Sequence, residues 1–491
     1  SSFNLSFTGN GEIGIGTTSP TAKLTVDGSI KSDSLILTGN NTLIGHAGFA
    51  PYLDISNGVG TRGVQRLTST GNLTNIGSIQ ANSLDIKRGS GTFTEQTLSV
   101  GITGSYRIEN NYDFNGDGWN DLVVLNSGVT SLSIYLNNGD NTFASPVTYS
   151  TSSSPYSFTV NDFNLDGAPD IYLGRSTGGR LYTNNNNRTG TLTISTSSGG
   201  TEYAISSGDI NNDNYPDIIG GYGNTFVKIN NRDGTFGIGT SFGFTGNNNT
   251  DARVVDLNND GWNDIAIIGS GSPHEIEVYL NDGSGNFGVG ISYPSGGWPR
   301  AMEAADMNGD GYIDLISADT TSDTISIFLN NQDGTFAARF SYASGDAPWS
   351  VKTGDFNNDG WPDLVTANSG TTSTTVSVFI NKGLGDGTVN PKINHTVGTR
   401  PYEVSVGDIN NDGLLDITAA NLYSDYISIL INQPTSILYT ASNNNVGVGT
   451  TNPFAKLTID GPLGLTGLNN KGLVMSSFNN YLNISTGVGT G

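Results

Sequence analysis

The chain has 491 residues, of which 13% are charged and none is cysteine. Its 44 acidic and 21 basic residues give a formal net charge of −23, which argues against nucleic acid or an anionic membrane as a partner. The lack of cysteine excludes disulfides, and no apolar run approaches the ~20 residues that span a bilayer. The 68 glycines, with abundant Ser, Thr and Asn, favour short strands joined by turns over helices.

Residues 1–88 are predicted to form a small β-rich module. Within them, GIGTTSPTAKLTVDG (14–28) matches GVGTTNPFAKLTIDG (447–461) at 11 of 15 positions. Residues 437–491 are therefore predicted to be a partial copy of this module. Two explanations stay open: tandem repetition of a larger unit, or simply two related flanking modules. Because the chain begins with Ser1 instead of Met, we expect a processed product or a section of a longer polypeptide.

One acidic nine-residue loop recurs seven times in the middle of the chain. Its first aspartates are 49, 47, 47, 50, 49 and 53 residues apart. Such a period is typical of an array of supersecondary units, and seven units suggest a closed ring. Numbered loops 1 to 7, with positions 1 to 9 in each, the copies are DFNGDGWND (113–121), DFNLDGAPD (162–170), DINNDNYPD (209–217), DLNNDGWND (256–264), DMNGDGYID (306–314), DFNNDGWPD (355–363) and DINNDGLLD (408–416).

Each loop offers side-chain oxygens at positions 1, 3, 5 and 9. Carboxylates ~5 Å apart repel by up to about 3 kcal/mol per pair, and a hard cation with roughly 6–8 oxygen ligands removes that repulsion. Calcium fits better than magnesium, and zinc or copper lacks its usual ligands because all three histidines lie outside the loops. The alternative is a metal-free turn rich in Asp and Asn, which seven repetitions disfavour. An EF-hand is a poor match, because its twelfth-position glutamate is missing.

Position 6 is glycine in six loops, as in a calcium loop that turns sharply. In loop 3 it is Asn214, where we predict a left-handed backbone and retained binding, because asparagine tolerates positive φ. Position 7 is predicted to offer its backbone carbonyl. The predicted ligands of up to seven structural Ca²⁺ ions are Asp113, Asn115, Asp117, Trp119 and Asp121; Asp162, Asn164, Asp166, Ala168 and Asp170; Asp209, Asn211, Asp213, Tyr215 and Asp217; Asp256, Asn258, Asp260, Trp262 and Asp264; Asp306, Asn308, Asp310, Tyr312 and Asp314; Asp355, Asn357, Asp359, Trp361 and Asp363; and Asp408, Asn410, Asp412, Leu414 and Asp416.

These loops resemble the calcium loops of FG-GAP/VCBS repeats, the blades of the integrin-α-type seven-bladed β-propeller. The resemblance covers roughly residues 91–434, and only Asn214 departs from the pattern. It implies calcium between the first two strands of each blade, an extracellular setting and a binding face made by loops. It implies no particular ligand.

The predicted fold is all-β: a seven-bladed propeller at 91–434 with four-stranded blades, flanked by small β-rich modules. In the sixth blade, residues 349–354, 364–368 and 375–381 have the pattern of the first three strands. The last blade ends with its third strand, YISILIN (426–432). We predict that 91–100 pairs with it and closes the ring, because the sheet edge would otherwise stay open.

The G-[IV]-G-T-T-x-P-x-A-K-L segments of the flanks resemble parts of phage tail fibres and large bacterial surface proteins. This resemblance implies an elongated fibre or stalk. Self-association or tandem copies through the flanking modules are therefore expected.

A second recurring feature is a large or polar residue about six residues before each acidic loop, where the first strand begins. These positions are expected to crowd the mouth of the central channel, on the face opposite the acidic loops. They could stack on sugars or grip a protein side chain, or only plug the channel. The ligand-face candidates are Tyr106, Tyr156, Tyr203, Trp298, Arg300, Trp349 and Tyr402, with Thr250 at the equivalent position of the fourth blade. The tryptophans inside the loops are expected to pack between blades instead.

Three functions are compatible with these patterns. The leading one is a calcium-stabilised binding or structural module of an extracellular appendage such as an adhesin, surface filament or tail fibre, on a cell surface or a virion. The second is a carbohydrate-binding lectin propeller. The third is a calcium-dependent polysaccharide-degrading enzyme, for which the central face offers mainly Arg107, Arg300 and Arg400 as basic residues. No catalytic constellation is recognisable, so we expect no enzymatic activity.

Overall fold

The computed structural model describes residues 5–7, 13–15, 24–26, 85–100, 104–126, 128–151, 154–186, 188–195, 202, 206–222, 224–237, 239–242, 249–440, 446–448, 457–459, 471–472 and 487–488. All regular elements in these residues are β-strands, which confirms the predicted fold class. In particular, no helix in these ranges is long and apolar enough to cross a membrane. The chain divides into two units, Ser1–Asn82 and Ser83–Gly491.

In the described part of the second unit, six sheets have four antiparallel strands each, and a larger seventh sheet contains the four antiparallel strands of blade 7, which confirms the predicted number of blades. Blade 1 consists of Ser105–Tyr112, Asp121–Asn126, Ser131–Tyr135 and Val147–Ser150; blade 2 of Pro155–Asn161, Asp170–Arg175, Arg180–Asn184 and Leu192–Ile194; blade 3 of Ser206–Gly208, Asp217–Tyr222, Asn224–Lys228 and Thr240–Phe242; blade 4 of Asn249–Val255, Asp264–Gly269, Glu275–Tyr279 and Ile291–Pro294; blade 5 of Pro299–Ala305, Asp314–Asp319, Thr324–Phe328 and Phe340–Ala343; blade 6 of Pro348–Gly354, Asp363–Asn368, Thr375–Phe379 and Ile393–Thr396; and blade 7 of Pro401–Gly407, Asp416–Asn421, Tyr426–Thr440 and Asp85–Ser99.

The first strands line the axis of a closed ring. From blade 2 to blade 7, each first strand contacts the first strand of the next blade, and the first strand of blade 7 contacts that of blade 1. The circle is completed between blades 1 and 2, where Tyr112 Oη donates a 3.1 Å hydrogen bond to the carbonyl of Val160. Because every first strand runs toward its acidic loop, all seven loops lie at one end of the ring.

The second strands are apolar because they are buried on both faces. In blade 1, Leu122 and Val124 pack in a cluster with residues of blade 7, whereas Val123 and Leu125 pack in a cluster with residues of blade 2. Alternate side chains of a strand point to opposite faces, so a strand between two neighbouring blades needs apolar residues at successive positions. Each of the seven interfaces between blades has its own buried cluster of this kind.

Blade 7 is closed by a strand from the other end of the ring's sequence, as predicted. Ser99 pairs with Tyr426 and Phe93 with Asn432, and the pairing extends as far as Asp85 opposite Tyr439. The predicted segment 91–100 is therefore the end of a longer outer strand.

The flanking copies share one strand pattern. In the first unit, Leu5–Phe7 pairs antiparallel with Ile13–Ile15, which pairs parallel with Leu24–Val26. In the second unit, the end of Tyr426–Thr440 pairs antiparallel with Val446–Val448, which pairs parallel with Leu457–Ile459. The repeated sequence thus adopts repeated pairings. Most of the two flanking segments, 1–88 and 437–491, lies outside the described residues, and their predicted boundaries remain predictions.

Candidate functional sites: the acidic loops and the aromatic cluster

The carboxylates at positions 1 and 5 shape each acidic loop by accepting backbone hydrogen bonds. In loop 1, Asp113 Oδ2 accepts the N–H of Gly118 at 2.7 Å, and Asp117 Oδ1 accepts the N–H of Trp119 at 2.9 Å. The same two bonds recur in all seven loops. The side chains at positions 1 and 5 are thereby held inside the turn.

Position 6 has a left-handed backbone in every loop. The six glycines have φ between 84° and 89°, and Asn214 has φ 71°, as predicted for loop 3. A Cβ added at Gly118, Gly261 or Gly360 would meet no atom within 4 Å. Glycine is therefore favoured there by the backbone angle and not by lack of space.

The aspartate at position 9 is buried in all seven loops, with none of its surface exposed. In loop 6, Asp363 Oδ2 accepts the N–H of Phe356 and Oδ1 accepts the N–H of Asn381, and each loop repeats this arrangement. Burial raises the pKa of Asp121, Asp170, Asp314, Asp363 and Asp416 to about 7. The same cause raises the pKa of Asp217 and Asp264 to about 6.

The oxygen atoms that each loop offers are of the kind that calcium prefers as ligands. The position-9 carboxylate is desolvated, two further carboxylates at positions 1 and 5 raise its pKa further, and the backbone N–H groups offset this only in part. Such a site favours a cation bound through oxygen. Its ligands would be the side chains at positions 1, 3, 5 and 9 and the position-7 carbonyl, and the ion would neutralise the clustered charge.

One observation works against a fully formed metal site. Within the described ranges, no three acidic or histidine side chains converge in a metal-holding group. In loop 1, Asp117 Oδ2 instead accepts a 2.8 Å hydrogen bond from Asn115 Nδ2. This bond between two exposed side chains can be exchanged for a bond to a cation, while the backbone turn that carries them stays in place. A cation would have to draw these oxygens together.

A buried asparagine at the end of each third strand links neighbouring blades. Its backbone N–H donates to the position-9 aspartate, and its Nδ2 donates at 2.7–2.9 Å to the position-2 carbonyl of the preceding blade's loop. We call these residues the clamp asparagines: Asn137, Asn184, Asn230, Asn281, Asn330, Asn381 and Asn432. The recurring strand endings, such as INNRDGTF and LNNQDGTF, carry this asparagine and are the feature of the sequence from which it could be found.

Four loops are also joined directly to the next loop around the ring. Where position 4 is asparagine, its Nδ2 donates to the position-6 carbonyl of the following loop. The pairs are Asn212 to Gly261, Asn259 to Gly311, Asn358 to Gly413 and Asn411 to Gly118. The other loops have Gly116, Leu165 or Gly309 at this position.

The loop tryptophans pack on glycines. Trp361 of loop 6 lies against Gly309 of loop 5, where an added Cβ would come within 2.8 Å of its ring. Trp119 and Trp262 lie against Gly139 and Gly283 in the turns of their own blades. Trp361 therefore packs between blades 5 and 6 and also against Gly383 of its own blade, whereas the glycines that Trp119 and Trp262 contact belong to their own blades.

At the opposite end of the ring, the structure brings five of the predicted ligand-face residues together. Tyr106 and Tyr402 stack with ring centroids 4.3 Å apart, and their hydroxyls are 3.0 Å apart. Trp349 lies 4.7 Å from Tyr402. The guanidinium carbon of Arg300 is 4.3 Å from the ring centroid of Trp349 and 4.5 Å from that of Trp298. We call these five residues the aromatic cluster.

The remaining candidates are placed differently. Tyr156 is half-buried where blade 2 begins, and Tyr203 lies outside the described residues. Thr250 is used structurally, because its hydroxyl lies 3.2 Å from the carbonyls of Ile268 and Pro299.

Further along the first strands, ion pairs fill the channel. Arg107 pairs with Glu403 at 2.7 Å and Lys352 with Glu109 at 3.0 Å. Arg253 pairs with Asp251 at 2.8 Å and with Glu303 at 3.3 Å. Of the three arginines expected on this face, Arg107 is therefore committed to an internal pair.

A closed ring of seven four-stranded blades, each with an acidic loop between its first two strands, defines a β-propeller built from sequence repeats. Five stretches of the chain match the FG-GAP-like repeat, at residues 113–173, 162–220, 256–317, 306–366 and 355–419. Together they span more than half of the sequence, and the chain belongs to this family.

Solved structures similar to this one include two with different partners. One is a lectin of Agrocybe aegerita described as recognising non-reducing terminal N-acetylglucosamine, with 22% sequence identity, 68% of this chain and 87% of that chain covered, and a TM-score of 0.45. Another is BBS1N in complex with ARL6DN, with 13% identity, 71% and 97% covered, and a TM-score of 0.48. No curated protein matches the sequence.

Proposed function

We propose that this propeller is a calcium-stabilised binding or structural module of an extracellular appendage, such as an adhesin, a surface filament or a tail fibre, and that it is not an enzyme. The observation that carries the proposal is the buried position-9 aspartate beside two further carboxylates, repeated seven times. Seven divalent cations would neutralise more than half of the net charge of −23. Membership of the FG-GAP-like repeat family supports the propeller fold. Millimolar calcium outside cells would keep such loops occupied.

The expected energetic effect is large. A site with a Kd of ~10⁻⁴ M in ~1 mM calcium adds about 1.4 kcal/mol to the free energy of unfolding. Seven independent sites would add on the order of 10 kcal/mol, comparable to the stability of a whole domain. Calcium would thus take the place of disulfides in a chain without cysteine.

The test is calorimetric unfolding of metal-free protein with and without 1 mM calcium, with magnesium as the control ion. We expect calcium to raise the melting temperature far more than magnesium, with close to seven ions bound per chain. Asp359→Asn should weaken or remove one site, whereas Asp140→Asn, the same change in an exposed hairpin turn, should leave all seven. A melting temperature that calcium does not move would overturn the proposal.

The second candidate function is carbohydrate binding at the aromatic cluster. It is favoured by Trp298, whose side chain stays 39% exposed beside Arg300, since flat aromatic rings with polar neighbours suit sugar binding. A glycan array probed with calcium-loaded protein tests it, and binding to no glycan would leave the cluster as a channel plug.

We further propose that the flanking modules mediate self-association or join tandem copies. The matching strand pairings of the two copies support this. Electron microscopy of the native assembly tests it: beaded filaments are expected, and isolated globules would contradict it.

A further inference from the structure

Arg300 stands out because it is an inner-strand arginine without an acidic partner. Arg107 pairs with Glu403 of a neighbouring first strand, and Arg253 pairs with Asp251 of its own strand and with Glu303 of the next blade. Arg400 donates to the carbonyl of Ser369 and to the hydroxyl of Tyr423. Among the described residues, the Arg300 side chain has no hydrogen-bond or ion-pair partner, and its Nε is buried.

The surroundings hold the Arg300 guanidinium in place without neutralising it. Trp298 and Trp349 lie at cation–π distance, 4.5 and 4.3 Å from its central carbon. Burial and the nearby Arg107 charge lower the pKa of Arg300, while Tyr402 and Tyr106 act in the opposite direction. An arginine remains protonated under these conditions. The result is a desolvated cation with donors left over, which costs free energy unless an anion binds.

Neither Arg300 nor Trp298 is required by the local fold. Trp298, Ala347 and Arg400 each precede the proline that begins a first strand, and all three have φ between 51° and 55°. The same turn therefore accepts a tryptophan, an alanine or an arginine. Position 300 is occupied by Trp349 in blade 6 and by Tyr402 in blade 7.

We propose that Arg300 binds the carboxylate of an acidic saccharide, with the sugar ring resting on the exposed face of Trp298. A guanidinium matches a carboxylate with two parallel hydrogen bonds, and an exposed indole offers a flat surface for a sugar ring. One hydroxyl stands near this surface, because Ser322 Oγ accepts the N–H of Gly297, the residue before Trp298, at 2.7 Å. This inference rests on the carbohydrate-binding function proposed above and names its ligand class.

An acidic peptide is the less favoured ligand of the same site. The single unpaired guanidinium can bind one carboxylate. An acidic peptide carries many, and the protein's net charge of −23 repels them. A saccharide with a single carboxylate per binding unit meets the cation without that repulsion.

The experiment uses calcium-loaded protein and titration calorimetry with two acidic saccharides, a hyaluronan tetrasaccharide and sialyllactose. Each is paired with its methyl ester, which keeps the ring and removes the charge, and hexaglutamate serves as the peptide probe. We expect at least one acid to bind and its ester to bind about tenfold more weakly or worse, as for loss of a charge-assisted hydrogen bond.

Variants locate the site. Arg300→Gln should weaken the binding of the acid about tenfold or more without lowering the melting temperature or changing the calcium stoichiometry. Arg300→Lys should recover only part of the affinity because lysine lacks the planar fork. Arg400→Gln removes the same charge from the same end of the ring and should have no effect. The acid–ester comparison needs no variant and decides the question even if Arg300→Gln is unstable.

Several outcomes would overturn the inference: no binding of either acid at millimolar concentration, equal binding of acid and ester, equal losses in the Arg300 and Arg400 variants, or tighter binding of hexaglutamate. Calcium-dependent melting is measured separately. The two proposals can therefore fail separately: the acidic saccharide can be ruled out while calcium still raises the melting temperature, and calcium can have no effect while the saccharide still binds.

Discussion

Single residues in the acidic loops have separable roles. The carboxylates at positions 1 and 5 fix the turn, and position 6 permits its left-handed backbone. The sequence predicted the role of position 6, but it predicted positions 1 and 5 only as metal ligands and not as acceptors that fix the turn. The second use of position 9, as a buried acceptor for two backbone N–H groups, was not predictable, because one of its donors belongs to a third strand that follows later in the chain.

The first prediction concerns Gly360, at position 6 of loop 6. Gly360→Ala should lower the free energy of unfolding by about 1–2 kcal/mol, because a side chain disfavours φ near 89° although it would meet no neighbour. Gly360→Asn should cost clearly less, since loop 3 already uses Asn214 with φ 71°. Urea unfolding in calcium measures both variants. Equal losses would mean that backbone strain is not the reason for glycine.

The second prediction concerns the position-9 aspartates in metal-free protein. Their folded-state pKa values of about 6 to 7 lie above the ordinary 3.8. The folded state therefore binds these protons more tightly, and the stability this gives is present at low pH and is lost as pH rises through about 6 to 7. Melting temperature should fall between pH 5 and 8 without metal.

With saturating calcium this loss should disappear, because the ion favours the ionised carboxylates. Ordinary carboxylates are already ionised by about pH 6, so a fall between pH 6 and 8 reports these buried groups. Calorimetry across this range is the measurement. A flat metal-free profile would contradict the assigned pKa direction.

At the scale of elements, the closing strand is the part of the ring that depends on distant sequence. Asp85–Ser99 completes blade 7 by pairing with Tyr426–Thr440. The incomplete last repeat predicted this partner, because an open sheet edge is unfavourable. The extension of the pairing back to Asp85 was not predicted, since residues 85–90 lack the repeat pattern of the blades.

The third prediction tests this closure through Phe93. Its ring packs edge-on against Phe356 at 5.7 Å and against His395 at 5.1 Å. Phe93→Ala should reduce the free energy of unfolding by about 2 kcal/mol, less than for a fully buried phenylalanine because the side chain is half-buried. Thr94→Ala, an exposed neighbour on the same strand, is the matched control. Similar chemical unfolding of both variants would indicate that the strand contributes little.

At the scale of the whole molecule, the clamp asparagines join every blade to the preceding one. Each one joins the position-9 aspartate of its own blade to the loop of the preceding blade, seven times around the circle. Channel ion pairs and separate core clusters add to every interface. We therefore expect the blades to unfold together and not one by one.

The fourth prediction concerns the clamp between blades 4 and 5. Asn330 Nδ2 donates to the carbonyl of Leu257 at 2.7 Å in a buried setting, so Asn330→Ala should cost about 1–3 kcal/mol by leaving that acceptor without its partner. Asn331→Ala is the control, since Asn331 is exposed and bonds only within its own turn. A single calorimetric transition with a lowered midpoint is expected. If both variants melt alike, the clamp is not what couples the blades.

The sequence by itself determined the seven acidic loops, the number of blades, the left-handed Asn214 and the strand that closes the ring. These features follow from local turn chemistry and from the repeat period, neither of which depends on the side chains of neighbouring blades. Only the tertiary structure decided which side chains meet across blades, such as Tyr106 with Tyr402, 296 residues apart. It also left Arg300 between two tryptophans with no carboxylate partner in the described part of the chain, because ring closure sets those neighbours and no local pattern encodes them.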